Sequence, residues 1–214
     1  MKWSYIEGDT DSALVNYANN VNIEDHCTWQ SYTLDYILSF YNKKTFRRCI
    51  DAGANYGYLS VGFSRHFENV EAFEISSEIR KHLEINVENF SNITVHSQGL
   101  YKQNTQVNFK LLSSSGVSRI TEDVNDSLEQ VVTLDSFGFT DVDLIKIDVE
   151  RSESELIEGA IQTIKTSLPV IVAEMDLRRD TVALNKRQYI LNTLSSLGYT
   201  IADIRHNDVL FLVK

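Results

Sequence analysis

The sequence has few of the residues that interrupt or cross-link a chain. Its 214 residues include one proline, Pro169, nine glycines and two cysteines, Cys27 and Cys49. The single proline excludes a Pro-rich linker, and the length suits one globular domain with a buried core. The cysteines form neither a CxxC pair nor a Cys/His cluster. This excludes a disulfide scaffold and a zinc site, and it indicates reduced thiols in a cytoplasmic protein.

Long apolar runs and positive charge are also scarce. No run of about 18 apolar residues could span a membrane, and residues 1–5 lack the apolar segment of a signal peptide. We therefore expect no membrane contact. Twenty basic residues stand against 30 acidic ones, which gives a net charge of −10. This balance opposes binding to phosphate backbones and disfavours nucleic acid as a partner. Nothing in the sequence indicates an oligomeric state.

Short apolar runs alternate with amphipathic segments from residue 48 onward. We predict strands at residues 48–50, 70–73, 93–96, 143–147, 170–173, 199–204 and 209–213. We predict helices at residues 58–67, 77–90, 153–166 and 181–197, and an earlier one at Tyr32–Tyr41. The alternation indicates an α/β fold with a mostly parallel sheet, to which the C-terminal hairpin adds one antiparallel strand. Residues 1–47 are predicted as a helical or irregular N-terminal segment, and residues 48–214 as the main domain.

Residues 100–133 break this alternation and are predicted as an insertion. Gln106–Leu112 and Glu129–Thr133 have the pattern of extra strands around a Ser-rich turn at residues 113–116. The hydroxyl-bearing and basic side chains of the insertion, among them Ser118 and Arg119, suit hydrogen bonding to a hydroxylated acceptor. Two interpretations remain open: the insertion holds substrate-specific structure, or it merely extends the sheet.

Acidic residues dominate the carboxyl ends of the predicted strands, where α/β sheets bind ligands. The strand-end residues are Asp51, Glu74, Gln98, Asp148, Glu150 and Glu174. The loop Asp51-x-Gly53-x-Asn55-x-Gly57 lacks the G-x-G-x-x-G spacing of dinucleotide sites. Its carboxylate suits a ligand with an ammonium and a sulfonium group, and Glu74 can accept both ribose hydroxyls. These features favour S-adenosylmethionine over NAD. The plainer alternative is a tight turn and a surface glutamate.

Taken together, the motifs of residues 48–175 resemble the FkbM-like S-adenosylmethionine-dependent methyltransferases. They are Asp51–Gly57, Ala72–Glu74, Thr133–Asp135, Leu144–Glu150, Glu153–Ala160 and Val170–Glu174. The resemblance implies a Rossmann-like class I methyltransferase with a seven-stranded sheet, and O-methylation of a sugar, a glycan or another small hydroxylated acceptor. It implies a cofactor site formed by Asp51, Gly53, Ala54, Asn55, Gly57, Tyr58, Glu74, Ile75, Gln98, Gly99 and Asp148. In that site, Asp148 is expected near the methyl group.

One position departs from the family pattern. The family has a glycine after Asp-Val-Glu, and this chain has Arg151. Arg151 could face an acidic or phosphorylated acceptor, or it could be a solvated residue that pairs with Glu155 at i+4. We favour the second interpretation. The departure also leaves open a non-catalytic, cofactor-binding partner subunit as the alternative to an enzyme. A nucleic-acid methyltransferase is a third option, which the net charge disfavours.

Four acids are the candidate catalytic residues: Asp148, Glu150, Glu153 and Glu174. One of the three glutamates is expected to take the proton of a neutral hydroxyl, because neighbouring carboxylates raise one another's pKa. Mg²⁺ could be held by Asp148, Glu150 and Glu174, but we predict no metal site. The candidate acceptor-binding residues are Ser118, Arg119 and Arg151.

Overall fold

The computed structural model describes residues 3–10, 39, 46–175, 178–205 and 207–213. Cys27 and the predicted helix Tyr32–Tyr41, apart from Ser39, lie outside the described residues. The strands are β1 (Phe46–Ala52), β2 (Phe67–Phe73), β3 (Ile93–His96), β4 (Gly99–Leu100), β5 (Thr105–Lys110), β6 (Arg119–Thr121), β7 (Ser127–Val132), β8 (Val142–Ile147), β9 (Val170–Glu174), β10 (Tyr199–Arg205) and β11 (Asp208–Val213). The helices are α1 (Tyr58–Ser64), α2 (Ser77–Val87), α3 (Glu153–Glu158), α4 (Ile161–Ser167) and α5 (Thr181–Ser196), with 3-10 turns at Ser115–Val117 and Leu134–Phe137. No helix within these ranges has the length and apolar character that crossing a bilayer requires.

Seven strands form the main sheet in the order β10-β11-β9-β8-β1-β2-β3. The pairs formed by β1, β2, β3, β8 and β9 are parallel, whereas β11 pairs antiparallel with both β9 and β10. The predictions of a mostly parallel sheet and of one antiparallel strand from the C-terminal hairpin are therefore confirmed. Because the parallel strands point the same way, the carboxyl ends of β1, β2, β8 and β9 meet at one edge of the sheet.

The core lies on both faces of this sheet. All six residues of β8 are buried, as expected of a central strand covered on both sides. Ile145 and Ile147 pack with Leu156 on one face, and Leu144 packs with Phe63 on the other. Burial of each such side chain stabilises the fold by about 1.5–3 kcal/mol. The apolar runs of the sequence therefore become central strands.

The insertion forms a separate small sheet. Its strand order is β4-β7-β5-β6, and among the described residues these strands pair with one another rather than with the main sheet. The interpretation that the insertion extends the main sheet is therefore wrong. The small sheet stands over the carboxyl edge of the main sheet, where its residues line the cleft described below.

The predicted helix at residues 153–166 is in fact two helices. Helix α3 ends at Glu158 and α4 begins at Ile161. A Cβ atom at Gly159 would lie 2.0 Å from the carbonyl oxygen of Tyr101, so the close approach of the insertion requires glycine there. Asp135 then caps the second helix, because its carboxylate accepts from the N–H groups of Gln162 and Thr163 at 3.0 and 2.8 Å.

Helix α1 is shorter than predicted. It ends at Ser64, and β2 begins at Phe67, the residue at which the predicted helix ends. The side-chain amide of Asn92 donates to the carbonyl oxygens of Ser64 and Phe67 at 2.7 and 2.9 Å. This amide holds the chain in a tight turn between the helix and the strand, so a contact distant in sequence sets the boundary.

Residues 3–10, called the N-terminal strap below, lie against the main domain. Trp3 is buried, and its ring centre lies 4.1 Å from that of Tyr58 in α1. Ser4 donates its N–H to Oδ1 of Asn86 at 2.7 Å and accepts from Nδ2 of Asn86 at 2.9 Å. The strap is therefore held by α1 and α2. We predicted a boundary at residue 47, but this described part of the N-terminal segment packs on the main domain.

Candidate active site

A cleft lies between the carboxyl edge of the main sheet and the insertion. Its wall includes most of the predicted cofactor residues: Gly53, Ala54, Asn55, Tyr58, Glu74, Ile75, Gly99 and Asp148. It also includes Glu150 and Glu174 of the catalytic candidates and Ser118 of the acceptor candidates. The predicted residues that do not line it are Asp51, Gly57, Gln98, Arg119, Arg151 and Glu153. The cleft thus brings together the acids and the glycine loop that the sequence placed at separate strand ends.

The glycine loop after β1 needs its glycines for close approaches. Gly53 and Gly57 have φ values of 75° and 90°, which favour glycine. A Cβ atom at Gly53 would lie 1.8 Å from the carbonyl oxygen of Asp148, and one at Gly57 would lie 2.6 Å from Leu83 of α2. Gly57 therefore shapes the loop and its packing against α2, although it does not line the cleft itself.

Glu74 ends β2 and faces the cleft with its carboxylate already oriented. One carboxylate oxygen accepts from the N–H of Asn55 at 2.9 Å, and the other accepts from the N–H of Ser76 at 2.8 Å. Burial raises the pKa of Glu74 to about 7, although both N–H groups favour its ionised form. Each oxygen keeps a further lone pair, so the carboxylate can accept from two more donors.

A buried lysine that we did not predict lies behind the loop. The ammonium of Lys146, near the carboxyl end of β8, donates to the carbonyl oxygen of Gly53 at 2.9 Å. It forms ion pairs with Asp51 at 3.3 Å and with Asp148 at 3.5 Å. Burial acts to lower the pKa of Lys146, but the charges of Asp148 and Asp51 outweigh it and raise that pKa above its ordinary value. The signal in the sequence was a lone lysine in an apolar strand, which requires an anionic partner.

This lysine changes the role of Asp51. We expected the Asp51 carboxylate to face the cationic groups of a ligand. In the structure it is fully buried, and it accepts from the hydroxyl of Ser60 at 2.6 Å as well as pairing with Lys146. Asp51 therefore lies behind the wall of the cleft and is not positioned to contact a ligand directly. Asp51 and Asp148 together outweigh the single charge of Lys146, and Asp148 carries the excess negative charge to the cleft wall.

Three acids converge where β8 and β9 end. Carboxylate oxygens of Asp148, Glu150 and Glu174 all lie within 4.8 Å of one another. Burial, followed by the charge of Asp148 and a hydrogen bond to it, raises the pKa of Glu174 to about 9. Burial, followed by the charges of Asp148 and Glu153, raises the pKa of Glu150 to about 7. Burial and mutual repulsion therefore make it unfavourable for all three acids to be ionised together, so this cluster binds protons more tightly than isolated carboxylates do.

Glu153 lies outside this group of acids. It is the first residue of α3, is 5% exposed, and accepts from the N–H of Arg151 at 2.9 Å. Burial raises its pKa to about 7. The expectation that Glu153 acts as a catalytic base has no support in this position, since its carboxylate supports the backbone turn before α3.

That turn explains the arginine at the family's glycine position. Glu150 and Arg151 have φ values of 47° and 77°, in the left-handed region that glycine adopts easily. The predicted pair of Arg151 with Glu155 is wrong, because Arg151 precedes α3 and Glu155 instead pairs with Lys186 at 2.6 Å. Lys186 also donates to the carbonyl oxygen of Arg151 at 2.7 Å. Side chains thus hold both backbone polar groups of Arg151 in a left-handed conformation.

The acceptor candidates of the insertion have different surroundings. The hydroxyl of Ser118 accepts from the N–H of Leu112 at 2.9 Å, so it also fixes the turn of the insertion. Arg119 precedes Ile120, which lines the cleft, and its own side chain lies outside the wall. The charges of Arg151 and Arg119 nevertheless act to lower the pKa of Glu150.

Several residues can hold the cofactor that such a site requires. Oδ1 of Asn55 is buried and has no hydrogen-bond partner among the described residues. Apolar wall residues that we did not predict, Ile79, Leu100, Phe109 and Ile120, can enclose a flat ring. Phe109 and Ile120 come from the insertion, whose position the sequence pattern could not define. The unpaired oxygen, the free lone pairs of Glu74 and the close glycine loop all fit S-adenosylmethionine.

The fold and the residues of the cleft have the arrangement typical of class I methyltransferase domains. The defining features are the parallel sheet with one antiparallel C-terminal strand, the glycine loop after β1 and the acid that ends β2. Residues 51–201 match the family described as the Methyltransferase FkbM domain. The match covers most of the chain, and the protein belongs to the FkbM methyltransferase family.

Solved structures share this fold at low sequence identity. The methyltransferase FkbM from Methylobacillus flagellatus is 20% identical with a TM-score of 0.57, over 98% of this chain and 56% of that chain. A proposed O-methyltransferase from Klebsiella pneumoniae is 15% identical with a TM-score of 0.57, over 98% of this chain and 92% of that chain. This chain thus spans little more than half of the Methylobacillus protein. None of the curated proteins matches the sequence.

Proposed function

We propose that the protein transfers a methyl group from S-adenosylmethionine to a hydroxyl group of a small acceptor, such as a sugar or a glycan. The observation that carries this proposal is the set of three acids beside the glycine loop and Glu74 in one cleft. A cofactor site alone would explain Glu74 and the loop. It would not require Glu150 and Glu174 to converge on the same space with raised pKa values. We retain a cytoplasmic location as part of the proposal.

The residues of the cleft divide into those that hold the cofactor and those that act on the acceptor. Glu74 would accept from the ribose hydroxyls, and Ile75, Gly99 and Leu100 would flank the adenine. Asp148, held by Lys146 at 3.5 Å, would face the cationic end of the cofactor. When bound, the cofactor supplies an electrophilic methyl group. The protein then has to orient an acceptor oxygen, remove its proton and exclude water.

Glu150 is the base in this proposal. Its pKa of about 7 leaves a substantial ionised fraction at neutral pH, and a base is most effective when its pKa lies near the working pH. The hydroxyl proton of the acceptor would pass to a carboxylate oxygen of Glu150. Burial and the charges of Asp148 and Glu150 raise the pKa of Glu174 further than that of Glu150. In this proposal Glu174 is therefore the more readily protonated of the two glutamates, and it leaves Glu150 to take the acceptor proton.

The test compares Glu150→Gln with the wild type and with Glu158→Gln, a matched change at an exposed position of α3. Release of S-adenosylhomocysteine is measured against a panel of polyhydroxylated acceptors. Turnover should fall by about 10²–10⁴-fold in Glu150→Gln, and Glu158→Gln should behave as the wild type does. Cofactor affinity should change by no more than about twofold. Equal turnover in all three proteins would exclude Glu150 as the base.

Two further outcomes of this assay bear on the alternatives. Cofactor binding without turnover on any acceptor would favour the non-catalytic partner subunit. The main support for that alternative was Arg151. Against it, Arg151 has a φ of 77°, a left-handed conformation that glycine adopts easily. Turnover should also survive EDTA, because the ammonium of Lys146 already provides a cation beside Asp148. Loss of turnover on chelation would show that the three acids need a metal ion.

A further inference from the structure

The N-terminal strap joins the two walls of the cleft through one carboxylate. One oxygen of Asp9 accepts from the hydroxyl of Tyr56 at 2.5 Å, and the other accepts from the N–H of Ser115 at 3.1 Å. Tyr56 belongs to the glycine loop after β1, whereas Ser115 belongs to the Ser-rich turn of the insertion. Asp9 therefore connects the cofactor loop to a turn that lines the opposite wall.

Neighbouring contacts make this connection specific. The N–H and the hydroxyl of Thr10 both donate to the carbonyl oxygen of Ser113, at 2.7 and 3.0 Å. The hydroxyl of Tyr56 accepts from the N–H of Ile6 at 3.3 Å. Tyr56 is fully buried, and burial together with the bond to Asp9 raises its pKa, so it remains a hydrogen-bond donor. The side-chain amide of Asn55 donates directly to the hydroxyl of Ser115 at 3.3 Å.

The strap has an anchor that does not depend on Asp9. Its first residues are fixed by the Trp3–Tyr58 ring contact and by the two hydrogen bonds between Ser4 and Asn86. Removal of the Asp9 carboxylate should therefore leave the strap in place, with Thr10 still bonded to Ser113, and break the connection from Tyr56 to Ser115. This makes the role of Asp9 separable from the folding of the domain.

Glu74 links a bound ligand to the same loop that Asp9 holds. Its carboxylate accepts from the N–H of Asn55 at 2.9 Å, the residue before Tyr56. A ligand that donates to Glu74 therefore acts on the same short loop from which Asp9 reaches Ser115. We propose that Asp9 is a positioning residue that couples cofactor binding at this loop to the placement of the Ser-rich turn at residues 113–118. The proposal rests on the proposed function, because it takes the ligand of Glu74 to be S-adenosylmethionine or its demethylated product.

Coupling of this kind has to be reciprocal. If the bound cofactor favours the fixed position of residues 113–118, then fixing those residues must raise cofactor affinity by the same factor. Loss of the Asp9 link should therefore appear at two places that are distant in sequence. It should release the amides of the turn and weaken binding at the glycine loop. A purely structural role would lower stability without linking these two effects.

The experiment measures amide hydrogen exchange at residues 112–118 with and without S-adenosylhomocysteine, and the affinity of that ligand by calorimetry. In the wild type, the ligand should slow exchange of the Ser115 amide at least tenfold. In Asp9→Ala this protection should disappear, and affinity should fall by about five- to tenfold. Tyr56→Phe, which cuts the same link from the other side, should reproduce both effects. Asp9→Asn keeps one acceptor oxygen and should recover part of the protection.

Thr10→Val is the matched control, because it removes one hydrogen bond to Ser113 and leaves the bond from its N–H. It should keep both protection and affinity within about twofold of the wild type. Ligand-dependent protection that is unchanged in Asp9→Ala would overturn the coupling and leave the proposed function untouched. A wild type that fails to bind S-adenosylhomocysteine would overturn the proposed function instead.

Discussion

Replacing Arg151 with glycine should stabilise the protein. Arg151 has a φ of 77°, and a left-handed conformation costs a residue with a Cβ atom about 1–2 kcal/mol. Glycine removes this cost, but it also gives the unfolded chain more freedom, which offsets about 0.4–1 kcal/mol. We therefore expect the free energy of unfolding of Arg151→Gly to rise by about 0.5–1 kcal/mol. For a chain of this size, the melting temperature should rise by about 1–4 °C.

Two further variants separate the backbone from the side chain. Arg151→Ala removes the guanidinium but keeps the Cβ atom, so it should bring no gain in stability. Leu168→Gly is a positive control, since Leu168 has a φ of 49° and its exposed side chain ends α4 away from the cleft. Urea unfolding and calorimetry of all four proteins would measure these differences. The reasoning fails if Arg151→Gly lowers stability by more than about 1 kcal/mol while Leu168→Gly raises it.

Three other predictions concern the charged groups of the cleft. Glu74→Ala should weaken binding of S-adenosylmethionine by about 1.5–3 kcal/mol, since it removes hydrogen bonds to a charged group. Calorimetry measures this loss. Tight binding of NAD by the wild type would contradict the assignment of the cleft to S-adenosylmethionine. Lys146→Met should lower the free energy of unfolding by about 3–5 kcal/mol, because it leaves a buried carboxylate unpaired. Adding Asp51→Asn to Lys146→Met should recover part of that loss, as measured by urea unfolding. If the stability losses of the two single variants simply add in the double variant, Lys146 and Asp51 do not interact as an ion pair. Burial raises the folded-state pKa values of Glu74 and Glu150 from about 4.5 to about 7. Between these pH values the folded protein binds protons that the unfolded chain has lost. The stability that the two groups contribute is therefore fully present below pH 4.5 and is lost as pH rises to 7. The melting temperature of the ligand-free protein should fall between pH 5.5 and pH 8, and Glu150→Gln should reduce that fall; a rising melting temperature would refute the assignment.

The order of strands and helices could be predicted because it depends on local periodicity. The apolar run of β8 indicates a strand that is buried on both faces, and the amphipathic pattern after it indicates helices that are buried on one face. The glycine loop and Glu74 could be predicted for a related reason, since strand ends and tight turns have local signals. Hydrogen bonds and ion pairs from distant residues then set the details. Asn92 ends α1, and the carbonyl group of Tyr101 breaks the helix at Gly159.

The predictions of side-chain roles could not take account of partners that the sequence pattern does not reveal. Asp51 looked like a ligand-binding acid because the sequence places a carboxylate at the end of a strand. The sequence does not show that Lys146 of the neighbouring strand pairs with it. Glu153 looked catalytic for the same reason, although its partner is a backbone N–H in the adjoining turn. Asp9 had no signal at all, since its role depends on two hydrogen bonds to residues 47 and 106 positions away.

The way the small sheet of the insertion joins the main domain has a consequence for how this wall of the cleft can vary. Its ends lie side by side, because the N–H of Tyr101 donates to the carbonyl oxygen of Val132 at 2.8 Å. A segment that closes on itself at one point can vary in length with little change in the entropy of closing it. The one fixed requirement is at the joint, where Gly159 leaves no space for a side chain against Tyr101. A different insertion grafted at this joint would therefore change the wall of the cleft, including the positions of Phe109 and Ile120, while leaving the glycine loop and Glu74 on the main domain.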